Sequence, residues 1–341
     1  MQNKKIYNEP EVKEKVDLCL ADGTLNREAV GWSRHPLHNC NLSGSPLRKK
    51  QWNYWCINTE NFLFSATLSN IDYLGLAFIY FLDFATKQFH ELTVTRIFGK
   101  GCDLGNLVSD PLVFTDPKLS MSIEQTERDT RIIVDCPDFA GERLKTDIKV
   151  HHPAQHETLN VVIPWSDKLF QFTSKQHTLP VEGMIELGDK QYDAQGGYAC
   201  LDFGRGKWPF SSFWNWAGGS GKAEGHLVGL NFGAGWTDGT GMNENGVTVD
   251  GVLTKISEDL LFDYDREDYM KPWKIKTVIS NQVDLIFEPF FERVAKTEVL
   301  ILGSEVHQMI GHFSGSVKDA GGKSYQLKGL IGWAEDHHAR W

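Results

Sequence analysis

Four short blocks of the chain combine residues that can move protons with residues that can hold an apolar molecule. The densest runs Asp202-Phe203-Gly204-Arg205-Gly206-Lys207-Trp208, continues as Trp214-Asn215-Trp216, and passes through Asn231 and Trp236 to Glu244. A carboxylate lodged among indoles is deprived of water, so its pKa rises and it can act as a general acid. Asp202 is read as such an acid, and Arg205 beside it as a further catalytic candidate. Trp208, Trp214, Asn215, Trp216, Asn231, Trp236 and Glu244 are read as the walls of a ligand site, since apolar walls with a few polar groups mark small-molecule pockets. The plainer reading of the same text is an Asp202–Arg205 ion pair next to an aromatic core.

The second block is Gly332-Trp333-Ala334-Glu335-Asp336-His337-His338-Ala339-Arg340-Trp341. On a strand, Trp333, Glu335 and His337 share one face, which makes Glu335 a second candidate acid or base beside an indole. The alternative is a charged, fraying tail. The third block joins Gly31-Trp32-Ser33-Arg34-His35-Pro36-Leu37-His38 to Lys49-Lys50-Gln51-Trp52-Asn53-Tyr54-Trp55. From it Trp32, Arg34, His38, Trp52, Asn53, Tyr54 and Trp55 are taken as ligand-binding candidates. Arg34 could stack on an indole or bind a carboxylate, or it could simply cover a tryptophan at a sheet edge. The fourth block places His151, His152, His156 and Glu157 close together, which invites a metal reading. Pro153 breaks any helix that would align them, and adjacent strand residues face opposite ways, so no metal site is assigned.

Other chemistries find no support. There is no GxxxxGK[ST] loop or βαβ context for a phosphate cradle, and no GxSxG elbow for a serine nucleophile. A net charge of −10 argues against nucleic acid as a partner. The one basic run, Arg48-Lys49-Lys50, reads as a solvated strand entry, with contact to an anion or lipid headgroup as the alternative. Six cysteines without CxxC spacing read as reduced, mostly buried thiols. The first residues show no apolar signal segment, and the longest apolar run, Tyr73 to Leu82, is too short to cross a bilayer as a helix. The expectation is a soluble, cytoplasmic protein.

The elements that must position these blocks read as strands. Phe62–Leu68, Tyr73–Leu82, Gln88–Phe98, Ser120–Gln125, Thr130–Val134 and Leu144–His151 are β-rich runs bounded by turn residues. Lys222–Asn231, Val247–Lys255, Trp273–Ser280, Gln282–Phe287, Val306–Val317 and Lys328–Glu335 continue the pattern. Lys4–Leu18 is the one helix candidate, with a plain lead-in segment as the alternative. Dense glycine in the second half suggests bulges, barrel corners or close approach of a ligand. The expected class is all-β, with two packed antiparallel barrels or strongly curved sheets divided near Pro164–Pro180. The units are placed at 1–165 and 166–341.

These blocks resemble a bacterial family of unknown function, the domain-of-unknown-function family DUF2804. The resemblance rests on Gly31-Trp32-Ser33-Arg34 with Pro36-Leu37-His38, Lys49-Lys50 with Trp52-Asn53-Tyr54-Trp55, Asp202-Phe203-Gly204-Arg205-Gly206, Trp214-Asn215-Trp216, Gly332-Trp333-Ala334-Glu335 and Ala339-Arg340-Trp341. It spans nearly the whole chain and implies no activity. More distantly, the organisation is similar to the carotenoid hydratase and AttH-like group. That likeness implies two lipocalin-like β-barrel domains, and relatives that act on terpenoid- or polyketide-like substrates.

The functional expectation is a hydrophobic small molecule, lipid- or terpenoid-like, held in a Trp-lined cavity. Asp202 or Glu335 would drive hydration, isomerisation or cyclisation without a cofactor. The alternative is a non-catalytic lipid carrier using the same pocket. A metal-dependent enzyme built on His151, His152 or His156 is a third reading.

Overall fold

The computed structural model describes residues 5–299 and 302–341. Strands dominate, and the only helical element among the described residues is one 3-10 turn, Arg27–Ala29. Two large sheets account for the fold. The first runs, in spatial order, Phe89–Ile97, Leu74–Asp83, Phe62–Asn70, Lys49–Asn58, Tyr198–Lys207, Phe170–Leu187, Glu142–His151, Asp129–Phe139, Leu119–Gln125 and Leu112–Asp116. The second runs Val252–Lys255, Gly246–Val249, His226–Ala234, Ser211–Ala223, Ser324–Arg340, Leu302–Lys318, Val283–Val299, Trp273–Thr277 and Leu260–Asp263. One sheet curls into a nearly closed barrel and the other into a half-barrel.

Strand alternation explains the curl. In the first sheet, Trp55, Ile57, Phe64, Ala66, Ile79, Phe81, Leu201 and Phe203 turn into one large apolar interior. Their neighbours Tyr54, Cys56, Leu63, Tyr80 and Cys200 face outward into a different cluster, shared with Trp216, Ile310 and Trp333 of the second sheet. The second sheet encloses its own core around Trp273, Phe287 and Phe313. Each sheet thus has two apolar faces, and the outer ones meet at a junction.

The chain passes from the first sheet to the second in the Trp208–Phe210 segment. Phe170–Leu187 and Tyr198–Lys207 both pair within the first sheet. The break read at Pro164–Pro180 is a hairpin leading into a long strand, whose register shifts between Gln176 and Leu179. Of the two readings of Lys4–Leu18, the structure shows the lead-in and no helix over residues 5–18. Lys4 lies outside the described residues, and from Lys5 onward the segment is largely irregular. Pro10 cannot donate and disfavours helical backbone at Glu9. The segment straps the sheets together. Tyr7 donates its N–H to Ser257 O at 2.7 Å, Trp32 N–H donates to Pro10 O at 2.9 Å, and buried Glu9 meets Lys255 at 2.5 Å. All six cysteines are buried free thiols. No helix among the described residues is long and apolar enough to cross a membrane.

Candidate functional site between the sheets

Two rows of side chains, one from each sheet, oppose each other at the junction. In the first sheet, register places Lys175 opposite Asp202, Asp202 opposite Tyr54, Tyr54 opposite Thr67 and Thr67 opposite Phe78. In the second, it places Trp216 opposite Glu335, Glu335 opposite Gln308 and Gln308 opposite Arg293. Contacts join the rows at both ends. The Lys175 ammonium lies 4.2 Å from the centre of the Trp216 ring, and the Arg293 guanidinium 5.8 Å from that of Phe78. Tyr54 meets Trp216 edge-on at 5.8 Å.

A buried charge cluster occupies one end. Lys175, 5 % exposed at its side chain, is 2.9 Å from Asp202 and 3.2 Å from Glu244, the latter 2 % exposed. Thr173 donates to Asp202 at 3.1 Å and the Trp236 indole to Glu244 at 2.7 Å. Burial works against the Lys175 ammonium, but Asp202 and then Glu244 outweigh it and its pKa is raised. Burial likewise raises the Glu244 carboxyl, with Asp202 adding to the effect and Lys175 opposing it. Glycine makes the space: a Cβ on Gly233 would stand 2.2 Å from the Glu244 carboxylate, and one on Gly204 2.2 Å from the Trp52 ring. At these two glycines the close approach is that of a neighbouring side chain, buried Glu244 or half-buried Trp52.

Glu335 sits mid-row in the second sheet. It accepts from the Trp214 indole at 3.1 Å and from the Gln308 amide at 3.3 Å. Gln308 accepts in turn from Tyr80 at 3.0 Å, and Tyr80 is 2.7 Å from the Tyr54 hydroxyl. Burial pushes the Glu335 carboxyl up to about 7, against the Trp214 hydrogen bond and the charges of Lys175 and Arg293. A carboxyl whose pKa burial raises towards neutrality, at the end of a phenol–phenol–amide chain, can give or take a proton.

The indoles surround this row. Trp208 has Trp165, Trp236, Trp341, Trp214 and Trp52 around it, with ring centres 4.8 to 5.9 Å away. Eight of the eleven tryptophans belong to the two apolar clusters between the sheets, and a ninth, Trp32, joins one of them from the strap, so the compositional excess is a property of this place. Trp52, Tyr54, Phe78 and Trp214 are only half-buried.

The remaining candidates distribute as follows. Asp202, Glu335, Glu244, Tyr54, Trp52, Trp208, Trp214, Trp216, Asn231, Trp236 and Trp333 come together at the junction. Asn231 accepts from the Trp216 indole at 2.9 Å and donates to Glu244 O at 2.6 Å. Trp333 stacks on His177, and both Trp333 Nε1 and His177 Nδ1 lack a partner among the described residues. Trp32 and Arg34 lie at the strap: Arg34 pairs with Glu11 and Glu157 and stands 5.1 Å from the Trp32 ring. Asn215 donates to Tyr264 and to Glu335 O, on the far face of its strand.

Arg205, Asn53, His38 and Trp55 lie inside the first sheet. Arg205 donates to Gly105 O, Trp52 O, Gly204 O and Asn53, and makes no pair with Asp202. Positions 202 and 205 are an odd number apart on a strand and so face opposite ways. His38 bonds Ala29 O at 2.9 Å and packs on Phe172. The three histidines of the metal reading diverge: His151 bonds Asp129, His152 bonds Thr130 and His156 bonds His177 O.

Lys175, His177, Tyr80, Gln308 and Arg293 were not singled out in the sequence. Their signal is parity. Gln171, Thr173, Lys175 and His177 form a polar period-2 row in a strand whose other face mixes Phe170 and Phe172 with the buried polar Ser174 and Gln176. A separate groove of about 430 Å³, lined by Ser212, Phe213, Glu305, His338 and Arg340 among others, contains none of the row residues.

The fold and the site define a class: a two-sheet β protein whose titratable groups are walled in by indoles between the sheets. The chain belongs to the family described as a domain of unknown function, DUF2804, whose profile matches residues 9–341. Among curated proteins, none matches the sequence significantly. Similar solved structures include an AttH-like protein from Nitrosomonas europaea, with 11 % identity, TM-score 0.49, and coverage of 85 % of this chain and 92 % of that one. Kievitone hydratase from Nectria haematococca gives 10 %, 0.46, 86 % and 89 %. CghA gives 10 %, 0.49, 96 % and 97 %.

Proposed function

We propose that the junction binds an apolar small molecule against Trp52, Tyr54, Phe78 and Trp214, and that Glu335 acts on it as a general acid. The observation that carries this reading is Glu335 itself: a buried carboxyl raised to about 7, held by Trp214 and Gln308 in a row facing Lys175, Asp202 and Tyr54. Protonation of an unsaturated carbon by Glu335 would leave positive charge facing the indoles of Trp214 and Trp216, which attract a cation through their π faces. Asp202 and Glu244 hold the Lys175 ammonium, which keeps the rim of the site fixed and polar. The reactions open to such a site are hydration, isomerisation and cyclisation of a lipid- or terpenoid-like substrate, and the residues in place require no cofactor for them.

The test uses apolar extracts incubated with the purified protein and followed by mass spectrometry. Wild type should convert a component, with a gain of water or at constant mass. Glu335→Gln should lose about 10²- to 10⁴-fold of that rate. A ligand that is bound and released unchanged by wild type would replace the enzyme reading with that of a carrier. Equal turnover in Glu335→Gln would remove this residue from the chemistry.

A further inference from the structure

One end of the first sheet carries apolar side chains that nothing covers. Ile97 and Phe98 are each 73 % exposed and Leu47 is 55 % exposed. Phe98 and Leu47 also hold positive φ angles, 54° and 67°. Glycine or asparagine adopts that backbone at less cost, so turn geometry does not explain why bulky apolar residues stand there. The turns that bear them are joined. Phe98 N–H donates to Tyr73 O at 2.9 Å, Lys50 donates to Ile71 O at 3.2 Å and to Leu47 O at 3.5 Å, and its ammonium stands 4.7 Å from the Tyr73 ring centre.

The same end is cationic in a chain of net charge −10. Arg48 and Lys100 are exposed and, among the described residues, have no carboxylate partner within ion-pair distance. Lys49 is 3.4 Å from Asp72, and Asp103 is the exposed acid of the neighbouring loop. Apolar tips flanked by lysine and arginine are the composition that enters a headgroup layer: the tips bury, and the cations meet lipid phosphates. The basic run beginning at Arg48 thereby acquires a role.

We infer that this end of the molecule docks on a membrane surface containing anionic lipid, with Leu47, Ile97 and Phe98 entering the interface. The position suits the junction. Lys50 also lies 5.7 Å from the ring centre of Trp341, which packs on Trp208 and Trp214. The docked end therefore adjoins the indole cluster, and an apolar ligand could pass from lipid to protein without crossing water. That last step rests on the proposed function, whereas the docking does not.

Vesicle flotation tests the docking alone. Wild type should float with phosphatidylcholine–phosphatidylglycerol vesicles, float much less with phosphatidylcholine alone, and be released by salt. Phe98→Asn should melt at or above the wild-type temperature, because asparagine suits the positive φ, and should lower partitioning about tenfold or more. Ile97→Ser should act in the same direction, and Lys100→Glu should cost several-fold. Absence of wild-type flotation with either vesicle would overturn the proposal. So would a Phe98→Asn variant that floats normally, or one that melts well below wild type, since the side chain would then be structural. A wild-type oligomer that Phe98→Asn turns into monomer, with flotation unchanged, would reassign the patch to contact between copies.

Discussion

Lys175 and Arg205 are both buried cations on adjacent strands of one sheet, yet they face opposite regions. Arg205, in the first sheet's interior, is surrounded by carbonyls and Asn53, and burial depresses it to about 9. Lys175, at the junction, faces two carboxylates and an indole, and is raised. A cation whose hydrogen bonds all go to neutral dipoles is fixed in place, and the charges of Cys40 and Asp110 only partly offset its burial. A cation among titratable groups biases every protonation near it. Burial alone therefore does not mark a chemical site; the company of other ionisable groups does.

Three perturbations would break or sharpen this contrast. The largest is Arg205→Leu, which leaves three carbonyls and Asn53 without their donor in an apolar interior. It should destabilise by about 3–5 kcal/mol in urea unfolding. If Arg205→Leu instead keeps its stability and loses turnover, the two regions do not differ as described.

The second concerns Glu335, whose folded pKa of about 7 lies above the ordinary value of 4.5. Between those values the folded state holds a proton that the unfolded state has lost. Stability should therefore fall as pH rises from about 4.5 to about 7, by roughly 3 kcal/mol from this group. Glu335→Gln should remove that slope and gain on wild type across the same window. Parallel stability–pH curves for the two proteins would contradict the placement of Glu335 in a dry site. The third and smallest is Gly204→Ala, whose new methyl meets the Trp52 ring. It should cost about 1–3 kcal/mol and disturb the half-buried indole wall, read as altered tryptophan emission.

Glu335 and Asp202 were legible because each stands in strand-like text two residues or fewer from an aromatic or a glycine run, where a charge has no solvent to face. Arg205 was drawn into the same site by proximity along the chain, although period-2 parity separates it from Asp202. Lys175 was invisible for another reason. Thr173, Ser174 and Gln176 around it look like a solvated edge, and only the pairing with Tyr198–Lys207 shows that the strand is central. The all-β class followed from alternation. The point at which the chain changes sheet did not, because the hairpin at Pro164 has the same turn chemistry as a domain boundary. The opposition of the two rows depends on register between strands that are far apart in the chain, which no local pattern encodes.

The strand Ser324–Arg340 lies between Ser211–Ala223 and Leu302–Lys318, in the interior of the second sheet, and it carries Glu335. During synthesis the first sheet's strands are complete once Lys207 has emerged, whereas the second sheet lacks its central member until Ser324–Arg340 has been made. Half-made chains therefore hold Lys175, Asp202 and Tyr54 on an outer face with no opposing wall. The junction closes in one late docking event, so an interrupted chain would display a sticky aromatic surface, which makes that surface the natural target for chaperones and proteases.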